Sequence, residues 1–320
     1  MSKYRTFKNP WWLPTGHLQT IYPYLFLCKR APSYTRETIK LRDGDFLDFD
    51  WLKMNKNSPT VVVFHGLEGS SKSHYASAIM HLLEKRKWNG VVAHFRGCSG
   101  RPNDLLRAYH AGDHEDVDFI LETIRQRTRK PIFCIGVSLG GLALLNWAIH
   151  KKIKSTNILK AVAIVSAPLN LVITGHRLSL GFNKIYSWNF LKSLKKKCEE
   201  KLKKFGKGAM LLDMQKTKTI KDFDDLYTAP VHGFKNVCHY WSNSSVLDKL
   251  GSVQLNTILI HSNNDPFLPK QYLPDPSTLP PNVHCLYTKS GGHAGFTTGS
   301  FPGNISWLPM TIMSFFDSFR

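Results

Sequence analysis

Short apolar runs and apolar stripes at helical spacing alternate along this chain, and the alternation predicts its architecture before any motif is read. Thr60 to Phe64, Gly90 to Phe95, Ile132 to Ile135, Ala161 to Val165, Thr257 to Ile260 and Val283 to Tyr287 are predominantly apolar. Strands that read this way are buried on both faces, as in a parallel sheet. Helical patterns fill the gaps over Ser73 to Lys87, Gly112 to Arg127, Leu139 to Lys152 and Leu308 to Phe319. A hairpin of Glu37 to Leu41 and Phe46 to Leu52, turning at Asp43-Gly44, precedes them. The pattern predicts an α/β fold with a mostly parallel sheet and helices on both faces. About ninety residues separate Val165 from Thr257, too many for a simple crossover. The expected division is a core over 1–168 with an N-terminal extension 1–35, an inserted helical cap over 169–250, and the rest of the core over 251–320.

With 320 residues, 42% of them hydrophobic, the chain is long enough to bury a full core. No apolar run approaches the roughly 20 residues of a membrane span. The apolar patch Tyr22 to Cys28 is interrupted by Pro23 and has no small-residue cleavage site, so no secretion signal is expected. Cys28, Cys98, Cys134, Cys198, Cys238 and Cys285 show no CxxC pairing, and Cys134 lies in a core strand pattern. Reduced thiols in a cytoplasmic setting follow, and no zinc site.

Charge changes the picture in one place. Lys and Arg outnumber Asp and Glu by 43 to 23. Residues 184 to 221 hold twelve lysines and no arginine against Glu199, Glu200 and Asp213, so nearly half of the surplus lies in one stretch. Within it Leu191, Leu194, Cys198, Leu202 and Phe205 recur at spacings of three and four, an amphipathic helix. The reading adopted is a solvated lysine face whose apolar stripe packs on the domain. The alternative is an interfacial helix in peripheral contact with anionic membrane.

The chemistry concentrates at Gly136-Val137-Ser138-Leu139-Gly140, where a strand pattern passes directly into a helix pattern. A serine on so sharp a turn is exposed on a strained backbone, and glycines two residues to either side make room for it. A nucleophilic serine needs a base and an acid to orient that base, in the chain order Ser, Asp or Glu, His. Asp265 is the only acid in the loop after Thr257 to Ile260, and His293 lies in the glycine-flanked Ser290-Gly-Gly-His after the last strand. The backbone N–H groups of Leu67 and Leu139 are the expected oxyanion donors. His65 shapes the loop of Leu67; it precedes Ser138, out of order for the base. The aromatics Trp11, Trp12 and Tyr22 are expected to pack under the cap. Arg96 is expected to pin loops, and Cys98 to be a small buried side chain.

Gly66 to Ser73 differs from the phosphate-binding pattern GxxxxGK[ST] only by serine for the second glycine. That serine removes the backbone freedom needed to wrap phosphates, and no apolar strand ends in a magnesium-holding Asp. Neither HExxH nor GxGxxG occurs. No nucleotide, metal or other cofactor is expected.

Several segments together resemble the YheT-like α/β-hydrolases, relatives of the ABHD-type esterases and acyltransferases, nearly end to end. They are Asn9-Pro10-Trp11-Trp12-Leu13-Pro14 with His17-Leu18-Gln19-Thr20, His65-Gly66-Leu67-Glu68-Gly69, His94-Phe95-Arg96-Gly97-Cys98-Ser99-Gly100, Tyr109-His110-Ala111-Gly112, the Ser138 elbow, Phe223 to Pro230 with Gly233-Phe234, and Gly291-Gly292-His293. The resemblance implies an α/β-hydrolase fold and a serine hydrolase of carboxylic esters, with Ser138, Asp265 and His293 as its triad. The chain departs from the pattern at Asn264-Asp265, where members often carry two acids, and at Arg101, where they often carry one. Its expected partner is a small-molecule or lipid-like ester, with no nucleic acid. The alternatives are an acyltransferase using the same site with an alcohol acceptor, and a catalytically idle fold binding anionic membrane or nucleic acid through the basic cap.

Overall fold

The apolar runs become strands because burial on both faces leaves the backbone ladder as the partner for their N–H and C=O groups. The computed structural model describes residues 5–27, 31–53 and 55–320; Cys28 lies outside the described residues. The strands are β1 (Thr35–Lys40), β2 (Phe46–Trp51), β3 (Thr60–Phe64), β4 (Asn89–Ala93), β5 (Ile132–Val137), β6 (Ala161–Val165), β7 (Thr257–Ser262) and β8 (Val283–Thr288). They form one sheet in the order β1-β2-β4-β3-β5-β6-β7-β8. The first two pairings are antiparallel and all the others parallel. β4 ends at Ala93, short of the predicted Phe95, because the chain turns away towards Gly97 at φ +71°.

The helices are α1 (Gly16–Phe26), α2 (His74–Lys85), α3 (His114–Arg127), α4 (Leu139–Lys151), α5 (Ser155–Ile158), α6 (Leu171–Leu178), α7 (Asn183–Lys204), α8 (Gly208–Lys216), α9 (Ile220–Phe223), α10 (Ala229–Val231), α11 (Val237–Ser244) and α12 (Trp307–Phe316). α3 shows how local chemistry fixes an end. The Asp113 side chain caps its start, acids occupy its first turn, and Arg125 and Arg127 its last, complementing the helix dipole. Alternate residues of β3 to β7 feed two cores. Val62 and Phe64 face the side of α3 and α4, whereas Val61 and Val63 face the side of α2 and α12. α6 to α11 all lie between β6 and β7, where the insertion was expected. They hold a third core of Leu191, Leu194, Cys198, Leu202, Met214, Ile220, Phe223 and Tyr227.

α7 departs from its sequence pattern in two respects. Phe205 falls just past the helix and is partly exposed, and the lysine face is not wholly solvated, because Lys197 and Lys201 turn inward. The N-terminal aromatics do not pack under the insertion. Trp12 stacks edge-on against Tyr22 and Phe301, Tyr22 donates to the Pro302 carbonyl, and Trp11 is 87% exposed. The reason is that α1 and the segment before it run along the C-terminal loop and carry Trp12 and Tyr22 to it.

The β1–β2 hairpin is joined to the core by buried charge. Arg96 pairs in bidentate fashion with Asp116 at 2.6 and 2.8 Å, and also with Asp45 at 2.9 Å and Asp43 at 2.8 Å. Burial works against the Asp45 carboxylate, but hydrogen bonds from Asn103, Asp104, Phe46 and Arg96 hold it below its ordinary range. Deleting the cation strands two buried acids. Arg96→Met is therefore expected to lower unfolding free energy by about 3–5 kcal/mol, read from urea denaturation.

Candidate active site

β5 ends at Val137 and α4 begins at Leu139, so Ser138 alone makes the turn, at φ 53° and ψ −122°. A non-glycine residue holds such a conformation only when its surroundings enforce it. Here the enforcement is close packing. A Cβ on Gly140 would meet the His65 carbonyl oxygen at 2.4 Å, and one on Gly136 the Gly141 Cα at 2.5 Å. A Cβ on Gly66 would lie 3.1 Å from that of Ser138. The Ser138 N–H is anchored to the Val165 carbonyl at 2.8 Å.

The three predicted side chains are brought into one hydrogen-bonded line. Ser138 Oγ lies 2.9 Å from His293 Nε2, and His293 Nδ1 lies 2.9 Å from Asp265 Oδ2. The Asp265 carboxylate, whose other oxygen accepts from the Phe267 N–H at 2.8 Å, is an acceptor only. This places the imidazole proton on Nδ1 and leaves Nε2 free to accept from the serine hydroxyl. The Phe267 ring packs on His293 at 4.3 Å, and Tyr186 of α7 packs on Phe267 at 4.8 Å.

Both loops are held by α1, a contribution the sequence pattern did not reveal. The Gln19 side chain accepts from the Gly291 N–H at 2.6 Å and from Asn264 Nδ2 at 3.0 Å, and donates to the Leu13 carbonyl. Thr20 Oγ1 accepts from the His293 N–H at 2.9 Å. Asn264 Oδ1 accepts from the Gly292 N–H at 3.0 Å. The side chain beside Asp265 thus ties the acid loop to the histidine loop. α1 approaches so closely that a Cβ on Gly295 would meet the Gln19 carbonyl at 1.9 Å. Gln19 and Thr20 stand in the His17-Leu18-Gln19-Thr20 segment, the one sequence signal that could have marked them.

Leu67 and Leu139 both border the cavity that opens beside Ser138. The amides flanking Leu67 are committed, Gly66 N–H to Tyr75 Oη at 2.9 Å and Glu68 N–H to Tyr109 Oη at 2.8 Å. The loop position of Leu67 is thereby fixed. His65 is buried and shapes this loop: Nδ1 donates to the Gly66 carbonyl at 2.8 Å and Nε2 accepts from the Phe95 N–H at 3.2 Å. Burial, reinforced by His94, lowers it to about 3, so it is neutral. Burial likewise lowers His261, beneath the site, to about 4. The cavity walls are largely apolar, with Leu171, Leu178, Phe190, Leu194, Phe223 and Trp241 among them. Among the described residues no cluster of His, Cys, Asp and Glu could hold a metal ion, and no helix is long and apolar enough to cross a membrane.

Comparison with known proteins agrees with this architecture. A family model described as the alpha/beta hydrolase fold matches residues 59–300. The chain is 37% identical over 305 residues to the YheT protein of Escherichia coli (strain K12), covering 92% of this chain and 88% of that one. It is 28% identical over 316 residues to phospholipase ABHD3 of Homo sapiens, covering 95% of this chain and 76% of the relative. Among solved structures, the esterase Pf2001 of Pyrococcus furiosus superposes with a TM-score of 0.56 at 17% identity, over 89% of this chain and 92% of that one, a likeness of fold alone. Sheet order, a serine at the strand-to-helix turn and identity across most of both chains agree: this protein belongs to the α/β-hydrolase fold family, in its YheT-like branch.

Proposed function

We propose that this protein is a serine hydrolase of carboxylic esters, with Ser138 as nucleophile, His293 as general base and acid, and Asp265 as the group that orients and stabilises the imidazole. The observation that carries the reading is the pair of 2.9 Å hydrogen bonds that join the three side chains at an apolar cavity. His293 Nε2 takes the hydroxyl proton as Oγ attacks the ester carbonyl. The Leu67 and Leu139 N–H groups receive the developing oxyanion. His293 then gives its proton to the leaving alcohol, and water, deprotonated by the same nitrogen, releases the acid from the acyl-enzyme.

The largely apolar lining supports acyl esters of short to medium length or lipid-like esters. The phospholipase among the relatives supports the lipid-like class. Contact with an anionic lipid surface is supported by Ile185 and Trp188, which are 52% and 64% exposed on the lysine-rich α7, the helix that flanks Phe267 beside His293. Five free cysteines among the described residues fit a reducing, cytoplasmic setting. Release of the acyl group to an alcohol would use the same residues, and product analysis in water–alcohol mixtures measures that partition.

Purified protein is expected to hydrolyse a p-nitrophenyl ester series from acetate to palmitate, and Ser138→Ala to lose about 10⁴-fold or more in kcat. Equal rates in the two proteins would overturn the reading. Asp265→Asn should keep the fold and the KM while kcat falls by about 10³–10⁴-fold, because the amide favours the wrong imidazole tautomer. Replacing Ile185 and Trp188 together by serine should reduce co-sedimentation with phosphatidylglycerol vesicles and leave hydrolysis of dissolved p-nitrophenyl acetate unchanged.

A further inference from the structure

The cavity at Ser138 has a second, polar arm. Beyond its apolar walls it reaches Arg96, Lys197 and Lys201, beneath α7 and against the loop that follows β4. Two of these cations are matched by the protein itself. Arg96 faces Asp45, Asp116 and Asp43. Lys197 pairs with Glu68 at 2.9 Å, and that carboxylate also accepts from Ser193 and from Tyr109 Oη. Lys201 is different. It is only 5% exposed, its Nζ donates to the Arg107 carbonyl at 3.2 Å, and among the described residues no carboxylate lies within ion-pair distance of it.

A buried ammonium without a counter-ion is costly, and a hydrocarbon side chain would fill the same space without that cost. The position along the cavity also has meaning. Glu68 follows Leu67 at the reacting end, Lys197 contacts Glu68, and Lys201 lies one helical turn farther, about 6 Å along α7. The unmatched charge therefore stands away from the ester bond, where a remote part of a substrate would end.

We propose that the polar arm is a receptor for an anionic group at the far end of the substrate, held by Lys201, so that the preferred esters carry a carboxylate or phosphate remote from the scissile carbonyl. The inference rests on Ser138 as the nucleophile of the same cavity. It makes Lys201 a determinant of specificity and assigns it no part in the bond-breaking step. Remote binding of this kind raises kcat/KM for the charged ester over its neutral counterpart.

The charged groups around Lys201 make the idea readable in a pH profile. Burial lowers the Lys201 amine to about 8, whereas burial pushes the Cys98 and Cys198 thiols up to about 12. Asp45 is held below its ordinary range, Arg96 above its own, and Lys197 is raised. Lys201 is thus the group of this arm that changes charge near pH 8. Below that pH it is protonated and attracts an anion; above it the attraction is lost.

The test compares p-nitrophenyl half-esters of succinate through sebacate with uncharged alkanoates of matched length. A second arm compares hexanoyl-glycerol 3-phosphate with hexanoyl-glycerol, which separates an anion on the acyl side from one on the alcohol side. The ratio of kcat/KM for charged over neutral ester cancels any pH dependence that the two esters share. In wild type it should favour the charged ester in one arm and decline as pH rises through about 8. Lys201→Met should reduce it about tenfold or more with neutral esters little changed, and Lys201→Arg should restore most of it. A ratio that neither Lys201→Met nor pH alters overturns the proposal while leaving ester hydrolysis intact; the wild-type pH profile decides the matter even where the variant does not fold. If no ester is turned over, the reading of Ser138 fails by itself, and calorimetric titration of the wild type with suberate and with glycerol 3-phosphate tests the receptor directly. Binding that weakens above pH 8 and is absent in Lys201→Met supports it; no binding overturns it.

Discussion

The turn at Ser138 is the constraint from which the rest of the site follows. A residue at positive φ between a strand and a helix is held there by neighbours that leave no width for side chains at Gly136 or Gly140 and little at Gly66. That packing needs β5 in the middle of the sheet, with β3 on one side supplying the Phe64 and His65 carbonyls and β6 on the other supplying the Val165 carbonyl. The same compression brings the loop of Leu67 against the start of α4. Ser138 and the Leu67 and Leu139 amides are thus positioned by one act of packing, while His293 and Asp265 arrive separately on loops after β8 and β7.

Much of this could be read from the chain. Strands buried on both faces declare themselves by apolar runs, so β3 and β6 coincide with their predicted limits, and the chain order of serine, acid and histidine singled out residues that the fold brings within hydrogen-bonding distance. What escaped has a common cause. Gln19 and Thr20 are polar residues on a short N-terminal helix, and nothing local distinguishes a buried Gln from a solvated one when its partners lie some 270 residues away. Trp12 and Tyr22, expected under the insertion, pack on the C-terminal loop instead, because aromatic character marks a residue for burial without saying what covers it. Lys201 was one of twelve lysines in a basic stretch, and only the course of α7 over the core separates it from those in water.

The two cations are used differently. Arginines make the fork-shaped bonds that join elements: Arg36 to Asp50, Arg96 to Asp116 and Arg101 to Asp48 each fix part of the β1–β2 hairpin or the loop after β4. Lysines carry the surplus charge on the helical insertion, where compact, strongly hydrated ammonium groups suit an exposed face. Lys197 and Lys201 are the exceptions, and both border the cavity.

The clamp formed by α1 bears on how the protein is made. Gln19 and Thr20 are synthesised some 270 residues before Gly291 and His293, which they hold. Contacts of such sequence separation close late, after the chain-entropy cost of the intervening loop has been met. During synthesis the sheet can assemble strand by strand while α1, with its exposed Tyr24, Leu25 and Phe26, has no seat on the core. The histidine loop and the helix that fixes it therefore reach their final geometry together, once the chain through His293 has been made, so the nascent chain has its Ser138 turn before it has the His293 imidazole beside it.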